Sequence, residues 1–517
     1  MARILVVEDE LDQLQLRKLI LEQAGHQVVT AQDADRALEL LPGCALVLMD
    51  LRIPTPEDGH RLIEAASGSA KIIVLSGGAP ESTLAVDEFL TKPCSSKKIL
   101  EAVARFCMIF VFLACLQGAT FKVSKPSEIV ADLEIRAPGT DWAEEGREAT
   151  LVTLLVDGDA QQQVMLYAGS EPFTYRVFLG KLAAGEHRLD YSGKDVELIE
   201  ARFHEDTSDV AANAPILYAR ANTIGKFTDI PLIVYCERQT DNGAPFLQYT
   251  VIFSNEDGGT STRALMARWG RTTDIEYVYR AFLDPDGSVK RATIQGDGHE
   301  ELPFSGRRDG SHPVLMPITD NNMIGEVDAP TAVRYQIAPV LVDLAGHSRE
   351  EIMDRNPMAY KVMAKELKRE QKLRPFGTAD GEKVSDPRNY LYFEMQLGRS
   401  ESSVATLVRL KDNPRWLTSH LGHADFAIRT WKRNSAESPN GFVRTTVELP
   451  PGTKPEQIAE IGFECLVPEK ASDAPCRVEA VTKCFFLDRD YAPATDVWTM
   501  ASPRDIPAGT IWTSALK

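Results

Sequence analysis

Five polar residues in the first hundred or so positions, Glu8, Asp9, Asp50, Ser76 and Lys92, have the types and spacing to act on one anionic group. Three carboxylates brought together repel one another unless a cation lies between them, and hard oxygen ligands in a partly hydrated site suit magnesium. A hydroxyl and an ammonium beside them are donors for phosphoryl oxygens. Phosphoryl transfer needs a nucleophile, a cation to neutralise the equatorial oxygens and fixed donors around the moving group. Asp50 is the candidate nucleophile and phosphoacceptor, forming an acyl phosphate. Asp9, with Glu8 partly through water, is the candidate metal holder, and Ser76 and Lys92 are candidate phosphate contacts. Pro93 follows Lys92 and is a candidate cis-proline, a geometry that would aim the lysine into the site.

These side chains meet only if the elements that carry them run in parallel. ILVV (4–7) leads into Glu8 and Asp9, ALVLMD (45–50) ends on Asp50, KIIVLSG (71–77) contains Ser76, and EFLTKP (88–93) contains Lys92. Short apolar runs of this kind mark buried parallel strands. Between them, Leu16, Leu19, Ile20 and Ala24 recur at helical spacing before Gly25, and Ala34, Ala37, Leu38 and Leu41 share a second helix face. Ser95 or Ser96 is placed to cap a last helix carrying Ile99, Leu100 and Val103. With a strand around Val28 and Val29, the pattern predicts an α/β doubly wound, five-stranded parallel sheet. Ligands of such sheets bind beyond the strand carboxyl ends, at the switch in strand order.

ILVVEDE, LVLMDLRIP, IIVLSG and FLTKP, in this order and on strand ends, resemble the response-regulator receiver domain of two-component signalling over residues 1–106. The resemblance implies a flavodoxin-like fold and a phosphorelay function. It implies Mg2+ held by Glu8, Asp9, Asp50 and the backbone carbonyl of Arg52, with Ser76 and Lys92 on the phosphate. It further implies a histidine kinase or phosphotransfer protein as donor to Asp50, and Phe89 moving with Ser76 as a switch. The sequence departs from the family pattern in three places. Glu8 stands where aspartate is common, and the loop after Asp50 is one residue longer before its glycine. The stretch from Ser76 to Lys92 is short, which predicts a truncated fourth helix on the usual output face.

From about residue 121 the period changes to short strands separated by turn residues, as in ATLVTLLVDG, QQQVMLYAG, FTYRVFLG and GEHRLDYSG. The expected organisation is a receiver at 1–106, an apolar linker or relic signal segment at 107–120, and a small β-sandwich at 121–204. A β-rich domain at 205–400 with a helical segment at 348–373, and a C-terminal β-rich domain at 401–517, complete it. In the helical segment Ser348 and Glu351 form a capping-box pattern, Pro357 breaks or kinks the helix, and Ala359, Met363 and Leu367 share a face.

Weaker patterns lie in this region. His420 and His423, with Asp425, would make a metal set only if HLGH were helical. Asp284 and Asp286 in DPDG read as a hairpin turn rather than a calcium loop. Asp274 and Glu276, two apart on a strand, read as a solvated face rather than a catalytic carboxylate pair. No GxSxG, HExxH or Walker pattern points to an enzyme acting on a separate substrate.

The net charge of -18, and -5 within the receiver, argue against a nucleic-acid partner. Eight cysteines without a CxxC exclude a zinc ribbon, and Cys465, Cys476 and Cys484 could hold one disulfide if that part is exported. The run FCMIFVFLACL at 106–116 reads as a buried helix extension, a relic signal peptide or a short membrane anchor. The receiver is expected in the cytoplasm, and membrane contact only through 106–120. The leading expectation is a phosphorelay response regulator with an unidentified β-rich effector. The alternative is a secreted or surface β-sandwich binding protein, for carbohydrate or protein, fused to a receiver.

Overall fold

The computed structural model describes residues 3–23, 26–53, 55–77, 86–92, 94, 98–100, 102–103, 118–220, 230–256, 258–327, 333–378, 380–400, 402–429, 441–467 and 474–516. Gly25, Pro93, Ser95, Ser96, the segment expected to hold a truncated fourth helix and the apolar run 106–116 lie outside these residues, as do the expectations placed on them. The chain divides into two units, Met1–Leu116 and Gln117–Lys517, and the division falls inside the expected 107–120 linker.

In the first unit the strands are β1 (Arg3–Val7), β2 (Gln27–Ala31), β3 (Leu46–Asp50), β4 (Lys71–Ser76) and β5 (Glu88–Thr91), and the helices α1 (Leu11–Gln23), α2 (Ala34–Leu40) and α3 (Pro56–Ala66). The strands form one sheet in the order β2-β1-β3-β4-β5, and every pairing is parallel. Alternate side chains feed two cores. Leu5, Val7, Val47, Met49, Ile72 and Val74 face Ala37 of α2 and Leu62, Ile63 and Ala66 of α3. Ile4, Val6, Leu46, Leu48, Ile73 and Leu75 face Leu14 and Leu21 of α1 and Ile99, Ala102 and Val103. Continuous apolar strands are what a sheet covered on both faces requires.

Two local signals place the helices. Asp33 Oδ1 accepts from the Arg36 amide at the start of α2, and Thr55 Oγ1 accepts from the Asp58 amide at the start of α3. Gly59 lies where a β-carbon would overlap the Leu51 carbonyl oxygen, so glycine lets α3 press against the loop that follows Asp50. The face of α1 is described only in part. Its buried stripe runs through Leu14, Arg17 and Leu21, while Ile20 is half-buried; Leu16, Leu19 and Ala24 lie outside the described side chains.

The second unit is strand-rich. An antiparallel three-stranded sheet (Phe173–Leu182, Ser127–Arg136, Glu197–Asp206) and a four-stranded one (Ala119–Val123, Gly185–Ser192, Leu151–Val156, Asp159–Met165) come from the first ninety or so residues. A six-stranded sheet follows, in which Asp274–Leu283 pairs with Ala244–Phe253 and Val289–Gln295. Two further sheets carry the last part, one holding Tyr390–Leu397 and Phe442–Glu448, the other Ser403–Leu410 and Ile458–Leu466. The turn at Asp284–Gly287 is a hairpin, with Asp286 Oδ1 accepting from the Ser288 amide and hydroxyl.

The expected helical segment is two helices, Glu351–Arg355 and Met358–Arg369, broken at Asn356 and Pro357. Ala359, Met363 and Leu367 are buried together on the second. No capping box forms, because Ser348 Oγ donates to Glu394 and the Glu351 carboxylate is taken by Arg355 and Lys483. A further helix, Thr262–Trp269, is capped by Ser261 and ends at Gly270 in the left-handed region (φ 64°).

One apolar cluster of this unit runs from Phe121 to Val362, across the expected boundary at 204, and a second gathers residues from Leu391 to Ile506. The Trp142 indole N–H donates to the buried Glu366 carboxylate across this core. Cys465 and Cys476 form a disulfide (Cα–Cα 5.5 Å), and Cys484 is a buried free thiol. Among the described residues, no helix is long and apolar enough to cross a membrane.

Candidate functional site

β1 and β3 are neighbours in the sheet while β2 lies on the far side of β1, so the switch in strand order falls between Glu8, just past β1, and Asp50, the last residue of β3. Carboxylate oxygens of Glu8, Asp9 and Asp50 lie within 4.8 Å of one another. Asp9 is exposed, Asp50 half-buried and Glu8 only 1 % exposed. The parallel pairing of β4 with β5 sets Ser76 beside Thr91, and the Lys92 amide donates to the Ser76 carbonyl at 2.8 Å. From there Lys92 Nζ reaches Asp50 Oδ2 at 2.6 Å and Glu8 Oε2 at 3.4 Å. The Arg52 amide approaches Asp50 Oδ1 at 3.4 Å. Phe89, opposite Val74, packs half-buried on the α2–α3 side of the sheet.

The sequence reading missed one member. Arg17 of α1 is buried and its guanidinium donates to Glu8 Oε2. The signal was a cation on the apolar stripe of a helix, three residues after Leu14 and four before Leu21. Burial raises the proton affinity of Glu8 above the ordinary carboxylate range, while Arg17 and then Lys92 oppose the shift and Asp50 adds to it. The donor set fits a hard divalent cation. It consists of carboxylate oxygens on adjoining strand ends, and the two basic side chains that reach them touch only Glu8 Oε2 and Asp50 Oδ2 and leave the group of three carboxylates acidic overall.

Other candidates fare differently. Asp274 and Glu276 are not on a solvated face, since both are buried beneath neighbouring strands. Burial comes first in raising both proton affinities, and the negative charge of Asp274 adds to the shift of Glu276. HLGH is a turn rather than a helix. Leu421 has φ 52°, the Gly422 amide donates to His420 Nδ1, and His420 Nε2 lies 3.6 Å from Glu464. His347, Glu351 and Glu394 cluster closely, but Arg444 and Lys483 already neutralise those carboxylates, which makes the group an internal ion network.

The family model described as "Response regulator receiver domain" matches residues 4–104. No curated protein matches the chain. Among solved structures, a response regulator receiver domain protein from Clostridium thermocellum is 26% identical, with 20% of this chain and 93% of that chain covered and a TM-score of 0.19. A CheY-like receiver domain protein from Methanospirillum hungatei JF-1 is also 26% identical, over 20% of this chain and 92% of that chain, with a TM-score of 0.19. NtrX from Brucella abortus is 28% identical over 20% of this chain and 25% of its own, with a TM-score of 0.18. The matched segment thus takes in both edges of the carboxylate crevice and ends before the strand-rich unit begins.

Proposed function

We propose that the receiver domain at residues 4–104 takes a phosphoryl group onto Asp50 from the phosphohistidine of a histidine kinase or phosphotransfer protein. One observation carries this reading. Asp50 Oδ2 sits 2.6 Å from Lys92 Nζ, within a group of three carboxylates gathered at the switch in strand order. An Asp50 oxygen attacks phosphorus, the donor's P–N bond breaks as the P–O bond forms, and the departing imidazole recovers a proton. Lys92 and the Ser76 hydroxyl hold the transferred oxygens. Glu8, Asp9, Asp50 and the Arg52 carbonyl would hold Mg2+, which supplies neutralisation of the charge that builds on the phosphoryl oxygens. Phe89 then follows Ser76, coupling phosphorylation of Asp50 to the surface around β4 and β5.

Incubating the full chain with acetyl phosphate and Mg2+ is expected to yield an acid-stable, hydroxylamine-labile phosphoryl adduct, lost in Asp50→Ala and on chelation with EDTA. Equal labelling of Asp50→Ala would remove the assignment. The strand-rich unit is proposed as the effector, its segments 121–204, 205–400 and 401–517 sharing apolar cores across both boundaries.

A second reading is favoured by the Cys465–Cys476 disulfide, since such bonds persist in oxidising compartments. In it the strand-rich unit is an exported binding protein joined to a receiver. An antibody against residues 121–517 separates the two readings. A full-length cytosolic band supports the regulator, and a shorter band in the exported fraction supports the fusion.

A further inference from the structure

Helix α1 carries a cation on a stripe whose other members are apolar. Arg17 is 5 % exposed and lies between Leu14 and Leu21, which belong to the core of Val6, Leu48, Ala102 and Val103. Burying a charge is costly unless it is paired. Arg17 is paired with Glu8, itself buried, and donates to Oε2. The same oxygen lies 3.4 Å from Lys92 Nζ, so two cations meet at one corner of the group formed by Glu8, Asp9 and Asp50.

The two cations differ in freedom. The Lys92 side chain is 31 % exposed and also lies 2.6 Å from Asp50 Oδ2. An ammonium on a flexible four-carbon stem can leave those oxygens for an incoming anion. Arg17 is held on the helix side within the apolar core, and a guanidinium stays charged at any ordinary pH. Its charge beside Glu8 is therefore permanent, whatever occupies the crevice.

Resting on the reading that Glu8, Asp9 and Asp50 hold Mg2+, we propose that Arg17 is a positioning residue that sets how tightly the crevice holds its metal. Arg17 keeps one oxygen of Glu8 engaged from the side of α1, so a cation accepted by the three carboxylates must share Glu8 with a fixed positive charge. Like charges repel more strongly where burial limits screening by water, and Glu8 lies in such a place. The crevice thus binds a divalent ion less tightly than three unopposed carboxylates would, and exchanges it more readily. A residue that served only to fix Glu8 in place would act in the opposite direction, because its loss would misplace a metal ligand and weaken binding.

The test is titration of the full chain with Mn2+ in mildly alkaline buffer without a phosphodonor, the free ion being counted by electron paramagnetic resonance. Binding lost in Asp9→Asn is taken as binding at the crevice. Arg17→Gln and Arg17→Met, which remove the charge, should bind Mn2+ at least about threefold more tightly than the native chain, and Arg17→Lys, which keeps it, should stay within about twofold. Millimolar Mg2+ should likewise raise the urea midpoint of Arg17→Gln by more than that of the native chain. Circular dichroism reports folding, and Arg17→Gln carries the comparison if Arg17→Met unfolds. Native or weaker affinity in a folded neutral variant, or equal tightening in Arg17→Lys, would overturn the role of Arg17 and leave labelling of Asp50 as the separate test of phosphoryl transfer. Absence of Mn2+ binding in every form, or binding that survives Asp9→Asn in full, would overturn the proposal together with the metal site.

Discussion

Replacing Arg17 with methionine takes the guanidinium away from Glu8 and leaves Lys92, 3.4 Å off, as the cation beside a buried carboxylate. Breaking a buried pair from one side costs about 3–5 kcal/mol, whereas removing both charges together costs far less. Arg17→Met should therefore lower the urea midpoint of the first unit sharply, and Arg17→Met with Glu8→Gln should regain most of the loss. At the same scale, burial raises the proton affinities of Glu256, Asp274 and Glu276 above their unfolded values, and the negative charge of Asp274 adds to the shifts of the other two. Their contribution to stability is complete below about pH 4.5 and is lost as pH rises through the folded values, near 8 for Glu256, with Arg271 and Arg349 opposing the shift. Thermal melts of the native chain between pH 5 and about pH 9 should fall with pH more steeply than those of Glu256→Gln. Asp9, Asp50, Ser76 and Lys92 were legible in the sequence because each ends or follows an apolar run. Arg17 was not, because a helical cation reads as surface until its neighbours on the stripe are known. Asp274 and Glu276 were misread for a related reason, as strand alternation does not say which face a neighbouring segment covers.

Among elements, the contact of α3 with the loop after Asp50 has the clearest consequence. A β-carbon at position 59 meets the Leu51 carbonyl oxygen, so Gly59→Ala must move either the helix or the loop that carries Leu51 and Arg52. The expected result is slower labelling of Asp50 by acetyl phosphate, together with a loss of roughly 1–3 kcal/mol in chemical unfolding of the first unit. Labelling at the native rate would mean that the loop relaxes without disturbing Arg52. The central strands β1, β3 and β4 were readable because each is apolar on both faces, and the edge strands β2 and β5 by the short apolar pairs Val28–Val29 and Phe89–Leu90. The pairing of the second unit was not, since Pro231–Asp241 joins Val340–Val342 in parallel across about a hundred residues, and no local pattern encodes that return. Thr262–Trp269 was missed although Ser261 and Gly270 stand at its ends as cap residues should. Eight residues between long strands gave too short a period to notice.

On the scale of the whole chain, the Cys465–Cys476 bond closes a short loop between two sheets, tying Ile458–Leu466 to Cys476–Phe486 across eleven positions. Loop-closure entropy assigns it about 3 kcal/mol, so Cys465→Ser should lower the stability of the second unit by that order and leave Asp50 labelling unchanged. Non-reducing mass spectrometry of protein from its native source should show the bond if the unit matures in an oxidising compartment. The hydrogen bond from Trp142 to Glu366 has a consequence in time rather than in energy. The partners are 224 residues apart, and a ribosome adding about 5–20 residues per second needs roughly 10–45 s to cover that interval. For that period the Trp142 indole N–H must wait for the Glu366 carboxylate. The nascent chain therefore presents an unfinished apolar core to the translation machinery, and the rate of synthesis, as much as the final fold, sets how much of it is rescued by chaperones.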